Sequence, residues 1–261
     1  SGEIAGIHLE GPWLAPEFHG AHPILLLTEP LVGRVTELLE AGEGAVKMVT
    51  IAPERDGAIA SIELMAAHGV VAAIGHTNAT FEQARAAIAA GATGSTHLFN
   101  AMAPLRHREP GPILALLEDP RVFLELIVDG VHLRPELAAF IASIAPGRVV
   151  FVTDAMAAAA GPDGDYLLGE LPVEVRDGVA LVAGTNTIAG STLTLDRAVR
   201  VAVGAGVPLP VAVRAATQQA ADYLSLADVG RLAPGKRADL IVLDEGLQVT
   251  RVLFRGEWLP L

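Results

Sequence analysis

Apolar positions along the chain fall in short runs, each followed by an abrupt change to polar or glycine residues. Residues 70–74 (Val-Val-Ala-Ala-Ile) end at Gly75-His76-Thr77-Asn78. Such a run predicts a buried strand, followed by a helix over residues 81–90 closed by Gly91 and a short strand ending in Thr96-His97. The pattern recurs. A strand over residues 6–10 ends in Glu10, and a strand over 46–51 ends before Ala52-Pro53-Glu54. A strand over 122–128 ends in Asp129-Gly130-Val131-His132, and one over 149–153 ends in Asp154. Helices are predicted over residues 36–41, 58–68, 111–117 and 135–145, the last with Pro135 near its first turn. After Asp154 the rhythm changes to hairpin strands over 166–182, helices over 193–205 and 211–224, and short strands over 240–258. The loop over 13–23, with His19, Gly20, Ala21 and His22, reads as too polar for a core element. His68, just before Gly69, reads as a structural residue at a helix C-terminus.

A strand, a polar residue at its C-terminal end, then a helix is the repeating unit of an α/β barrel, whose chemistry gathers at one rim. Six such strands are present where a closed barrel needs eight. The expected fold is therefore α/β, a (β/α)8-type barrel represented by about six units.

Composition narrows the picture. The 261 residues suit one large domain with a small appendage, and 51% hydrophobic residues supply a sizeable core. No uninterrupted apolar run approaches the ~18 residues of a membrane span. Ser1-Gly2-Glu3-Ile4 lacks the pattern of a secretory leader. Cysteine is absent, so any metal site must use histidine and carboxylate. These features lead to an expectation of a cytoplasmic protein. A net charge of −12 argues against nucleic-acid and anionic-membrane partners. A small anionic substrate stays compatible, because local Arg and His dominate within a Debye length of ~8–10 Å.

Glu10, His76, His97, His132 and Asp154 all stand at the ends of different predicted strands. Each alone could be a turn or capping residue; together they occupy the rim where a barrel places its site. Glu, His and His provide three ligands and leave a fourth position open, the pattern of a catalytic zinc site. Asp154 can take a proton from water and return it to a leaving nitrogen. His132 can hydrogen-bond a carbonyl oxygen as charge develops on it. His8, two residues before Glu10, is expected beside the site or in the core.

The segments GIHLEGPWL with HGAH, GHTNA, THLFNAM, REPG, DGVH, VTDAM and IAGSTLTLDRAVR occur in that order. Together they resemble the N-acetylglucosamine-6-phosphate deacetylases of the amidohydrolase superfamily, and GRLAPGKRADLIVLD (230–244) resembles the general amidohydrolase tail. The resemblance implies a metal-dependent hydrolase that removes the acetyl group of N-acetyl-D-glucosamine 6-phosphate in amino-sugar catabolism. It implies Glu10, His76 and His97 as ligands of one divalent ion, Zn²⁺ before Fe²⁺, with Asp154 and His132 catalytic. Substrate contacts are implied at Ala21, His22, Asn100, Ala101, Arg108, His132, Ile188, Ala189 and Gly190. Arg108 would meet the phosphate in a homodimer. Family members normally begin with ~120 or more further residues that carry two barrel strands and half of a small β-sandwich. On that basis residues 1–160 and 185–228 are expected to form barrel, and 161–184 and 229–261 a remnant of the sandwich. The alternatives are another amidohydrolase, dihydroorotase-like or aminoacylase-like, or an inactive fragment that binds metal or sugar phosphate.

Overall fold

The structure is a computed structural model that describes residues 4–260. Ser1-Gly2-Glu3, which enter the expectation about a leader, and Leu261 lie outside them. The chain divides into two compact units, Ser1–Glu125 and Leu126–Leu261.

In the first unit the strands are β1 (Ile7–Glu10), β2 (Val46–Ile51), β3 (Val71–Ile74) and β4 (Gly94–Ser95), with β5 (Phe123–Ile127) crossing the division. Each pairs in parallel with the next, in chain order. Between them run α1 (Val32–Ala41), α2 (Ala58–Ala67), α3 (Phe81–Ala89) and α4 (Gly111–Glu118). The strand residues are apolar on both sides because helices cover the sheet: Val49, Ile51, Ala73, Ile74 and Leu124 are all fully buried. Each such Val, Leu or Ile stabilises the fold by about 1.5–3 kcal/mol. Helix α3 starts where Thr80 and Gln83 form a reciprocal capping box, and it presents Ala84, Ala87 and Ile88 to the core.

The second unit contains α5 (Pro135–Ile144) and β6 (Val149–Val152), which ends the six-strand order β1-β2-β3-β4-β5-β6. Next comes an antiparallel sheet of β7 (Gly164–Leu168), β8 (Leu171–Arg176) and β9 (Val179–Val182). Helices α6 (Leu195–Gly204), α7 (Leu209–Ala215) and α8 (Gln218–Tyr223) follow, then a second antiparallel sheet of β10 (Leu240–Leu243), β11 (Val249–Phe254) and β12 (Glu257–Leu259).

All six expected βα strands are present. Three expectations need correction. The helix expected over 36–41 begins at Val32, directly after the extended Leu31 and despite Gly33 in its first turn. The single helix expected over 211–224 is two, α7 and α8, broken at Thr217, whose backbone leaves the helical region (φ −136°, ψ −83°). Gly230 lies against that break, where an added Cβ would sit 2.6 Å from Ala221 Cβ and 3.1 Å from the Thr217 carbonyl oxygen. The loop over 13–23 is not wholly outside the core: Trp13, Leu14 and Ala15 are among the most buried residues. Hydrogen bonds from Ala52 N to Trp13 O and from Ala15 N to His76 O fasten it to the ends of β2 and β3.

Candidate metal centre

β1, β3 and β4 run side by side with β2, so the residues that follow them emerge together. Glu10 Oε1 lies 2.9 Å from His97 Nε2 and 3.2 Å from His76 Nε2, and the two imidazole nitrogens are 3.1 Å apart. Both imidazoles are almost fully buried, while the Glu10 side chain is 26% exposed. The opening is thus on the carboxylate side.

These donors fit a divalent ion. Tetrahedral ligands about 2.0–2.1 Å from zinc stand roughly 3.4 Å apart, close to the triangle seen here. The tautomer of His76 also fits: its Nδ1–H donates to Phe18 O at 2.6 Å, which leaves the Nε2 lone pair directed at the cluster. One carboxylate and two neutral imidazoles make a borderline donor set suited to Zn²⁺ or Fe²⁺. Burial pushes the Glu10 carboxyl up, but the imidazoles of His22, His76 and His97 gathered around its two oxygens outweigh it. The group is held far below the usual carboxylate range and is an anion at every working pH.

The backbone at the cluster is unusual. His76 (φ +48°), His97 (φ +29°), Phe99 (φ +78°) and Ala101 (φ +48°) all lie in the left-handed region, which costs a non-glycine residue roughly 1–2 kcal/mol. Such strain persists only where the surroundings over-determine it. Here Thr77 N donates to Ala101 O, Ala103 N to Thr77 O, and Leu98 N to Glu125 O. Glu125, a buried carboxylate on β5, also accepts from His97 N at 3.4 Å. Beneath the cluster His8, Thr50 and Thr96 are linked by side-chain hydrogen bonds of 2.8 and 2.7 Å. A Cβ at Gly75 would lie 2.7 Å from Thr96 Cβ and 3.0 Å from Thr50 Cγ2, so only glycine fits between His76 and this ladder.

Of the expected substrate residues, His22 lies in the cluster itself. Its Nε2 is 3.0 Å from the second oxygen of Glu10, and its ring packs edge-on to His76. Ala21 precedes it and is half-buried. His19 Nδ1 donates to His22 O at 2.7 Å and secures this turn. The Asn100 amide donates to His97 O and Leu98 O, closing the turn after His97. Arg108 is exposed on the loop that leads to α4.

His132, Asp154 and residues 188–190 belong to the second unit. His132 donates from Nδ1 to Asp129 Oδ2 at 2.7 Å, and Asp129 Oδ1 accepts from Val131 N and His132 N, both at 2.8 Å. Burial pushes the Asp129 carboxyl up, but the His132 and backbone hydrogen bonds outweigh it and hold it below its ordinary value. Asp154 is exposed and also left-handed (φ +49°). Its carbonyl accepts from Ser191 N at 2.7 Å, Met156 N donates to Ser191 O, and the buried Ser191 hydroxyl donates to Thr153 O. A Cβ at Gly190 would come within 2.8 Å of the Asp154 carbonyl. Ile188 and Ala189 are stitched to Leu181 and Ala180 on the other side. The segment over 188–191 therefore braces the turn that carries Asp154.

The model of the amidohydrolase family matches residues 1–259. The chain belongs to the amidohydrolase family. This amidohydrolase is 40% identical over 257 residues to the N-acetylgalactosamine-6-phosphate deacetylase of Escherichia coli O157:H7, a match over 98% of the chain and 68% of that protein. It is 35% identical over 256 residues to the N-acetylglucosamine-6-phosphate deacetylase of Vibrio furnissii, over 97% of the chain and 64% of that protein. Among solved structures, a mutant N-acetyl-D-glucosamine-6-phosphate deacetylase of Mycobacterium smegmatis in complex with N-acetyl-D-glucosamine-6-phosphate superposes with a TM-score of 0.95 at 54% identity. That match covers 98% of the amidohydrolase and 69% of the other chain. The chain thus spans about two thirds of the length of these relatives. No helix among the described residues is long and apolar enough to cross a membrane.

Glu54 and Glu125 fall outside the segments that carry the resemblance, while Asp129 and Ser191 lie inside DGVH and IAGSTLTLDRAVR without an expected role of their own. Glu125 had a signal of another kind, a charge inside the apolar run over 122–128.

Proposed function

We propose that this amidohydrolase removes the acetyl group from N-acetyl-D-glucosamine 6-phosphate, in amino-sugar catabolism. The observation that carries the reading is the convergence of Glu10 Oε1, His76 Nε2 and His97 Nε2 in a chain 54% identical to a deacetylase of that substrate. Glu10, His76 and His97 would hold one divalent ion, Zn²⁺ in first place and Fe²⁺ in second. An ion held there would lower the pKa of a bound water toward about 7 and so would supply hydroxide at neutral pH.

The remaining chemistry falls to side chains. Asp154 takes the water proton and passes it to the amide nitrogen as the C–N bond breaks, giving acetate and the free amine. His132 donates from Nε2 to the amide oxygen as negative charge gathers on it. Its Nδ1–H is already committed to Asp129, which orients the ring, so donation from Nε2 requires a proton on both ring nitrogens. His22, Ala21, Asn100, Ala101 and the 188–190 segment border the sugar. Arg108, exposed and suited to bidentate phosphate binding, meets the 6-phosphate, in a homodimer from across the subunit boundary. The barrel comprises residues 1–160 and 185–228, and β7–β9 with β10–β12 form the small β domain. Sugar phosphates and the absence of cysteine are both at home in the cytoplasm.

A second reading differs only at the sugar: the E. coli relative is named for N-acetylgalactosamine 6-phosphate, the 4-epimer. Acetate release from both epimers, with added Zn²⁺, tests the proposal. Asp154→Asn should lower kcat by roughly 10²–10⁴ on the preferred epimer. Unchanged activity in that variant would overturn the assignment.

A further inference from the structure

Glu54 stands three residues past the end of β2, with no role in the chemistry described above, yet it makes two of the shortest polar contacts in the first unit. Its Oε2 accepts from the Thr77 hydroxyl at 2.5 Å and its Oε1 from Asn78 N at 2.6 Å. Thr77 and Asn78 immediately follow His76. The same Thr77 oxygen accepts from Ala79 N at 3.0 Å, and Thr77 itself is fully buried. On its other side the Thr77 backbone is bonded to Ala101 and Ala103 of the loop after His97.

His76 holds a left-handed backbone, one that a histidine leaves unless the chain on both sides is fixed. Upstream it is fixed by β3 and by the Ala15 N to His76 O bond. Downstream two donors of the turn end on a single carboxylate, and bonds to an ionised acceptor are roughly twice as strong as neutral ones. We infer that Glu54 is a positioning residue for the metal centre: its carboxylate clamps Thr77 and Asn78 and thereby holds His76 in the conformation that aims Nε2 at Glu10 and His97. The inference rests on the reading of His76 as a ligand.

Replacement of Glu54 by glutamine leaves one of the two donors facing an amide N–H. Glu54 also borders a cavity of about 440 Å³, so the substituted amide has space and solvent. Loss of a partner that orients a ligand typically weakens metal binding by about 10–100-fold.

The test is the equilibrium affinity of the purified protein for Zn²⁺, read by competition with a chromogenic chelator, together with the visible spectrum of the Co²⁺-loaded protein. Glu54→Gln and Thr77→Val should each weaken Zn²⁺ binding by about 10–100-fold and alter the Co²⁺ spectrum. Thr77→Ser, which keeps the hydroxyl, should stay within about twofold of the parent, and the Glu54→Gln/Thr77→Val double variant should be little worse than the weaker single. The two single Thr77 variants stand even if Glu54→Gln does not fold. Parent-like affinity and spectrum in Glu54→Gln or Thr77→Val would overturn the clamp. Parent-like affinity in His76→Ala would instead overturn the ligand reading beneath it.

Discussion

The turn that carries Asp154 offers a quantitative handle on how strain is maintained near the proposed general base. Ser191→Ala removes one hydroxyl and nothing else. That hydroxyl donates to Thr153 O and accepts from Leu193 N at 3.0 Å, at a residue only 3% exposed. An unsatisfied buried group costs about 1–3 kcal/mol. If this loss relaxes Asp154 from its left-handed backbone, at about 1.4 kcal/mol per tenfold, kcat falls roughly 10–100-fold. Metal content stays unchanged, because the change lies outside the Glu10–His76–His97 cluster. The thermal midpoint falls as well, by about 2–4 °C per kcal/mol. Gly190→Ala should be at least as damaging, since it adds both a clash with the Asp154 carbonyl and a side chain at φ +64°. Steady-state kinetics with a coupled acetate assay, alongside thermal melts, measures both effects. A Ser191→Ala protein with a lowered midpoint but a parental kcat would refute the reasoning: the brace would then serve the fold and not Asp154.

The Asp129–His132 pair makes a pH prediction. The Asp129 carboxyl is held below its ordinary value, so its contribution to stability is full above the unfolded pKa of about 3.9 and disappears as pH falls through the depressed folded value. Denaturant unfolding at pH 7 should show Asp129→Asn less stable by about 1–3 kcal/mol, with the gap closing toward pH 3. A gap that stays constant with pH would contradict the sign. Gly75→Ala should cost about 1–3 kcal/mol through overpacking against Thr96 and Thr50, and should weaken metal binding because His76 must shift. Calorimetry and chelator competition check the two halves separately.

Much of this was legible in the sequence because period and punctuation agree. The β-branched run over 70–74 reads as a buried strand, and the Gly75-His76 boundary placed a histidine at its C-terminal end. Glu10, His76 and His97 follow from that grammar, and the three donors meet within 3.2 Å. The hidden parts are those where tertiary contact decides. The break between α7 and α8 falls in Ala-Ala-Thr-Gln-Gln-Ala, a run of adequate helix formers, at the point where Gly230 packs against the chain. Trp13 to Ala15 are buried because the ends of β2 and β3 receive them, which no local polarity count around His19 and His22 reveals. Residues 188–190 illustrate a third limit: a motif marks that a segment matters, but its bracing of Asp154 needs the backbone bonds of Ser191.

The most direct test of the central claim is metal stoichiometry measured together with turnover, on the parent protein and on His76→Ala and His97→Ala. The expected result is one divalent ion per chain in the parent, acetate release that disappears on chelation and returns with Zn²⁺, and neither property in either variant. A parent-like ion content in both variants, or undiminished acetate release from metal-free protein, would contradict it.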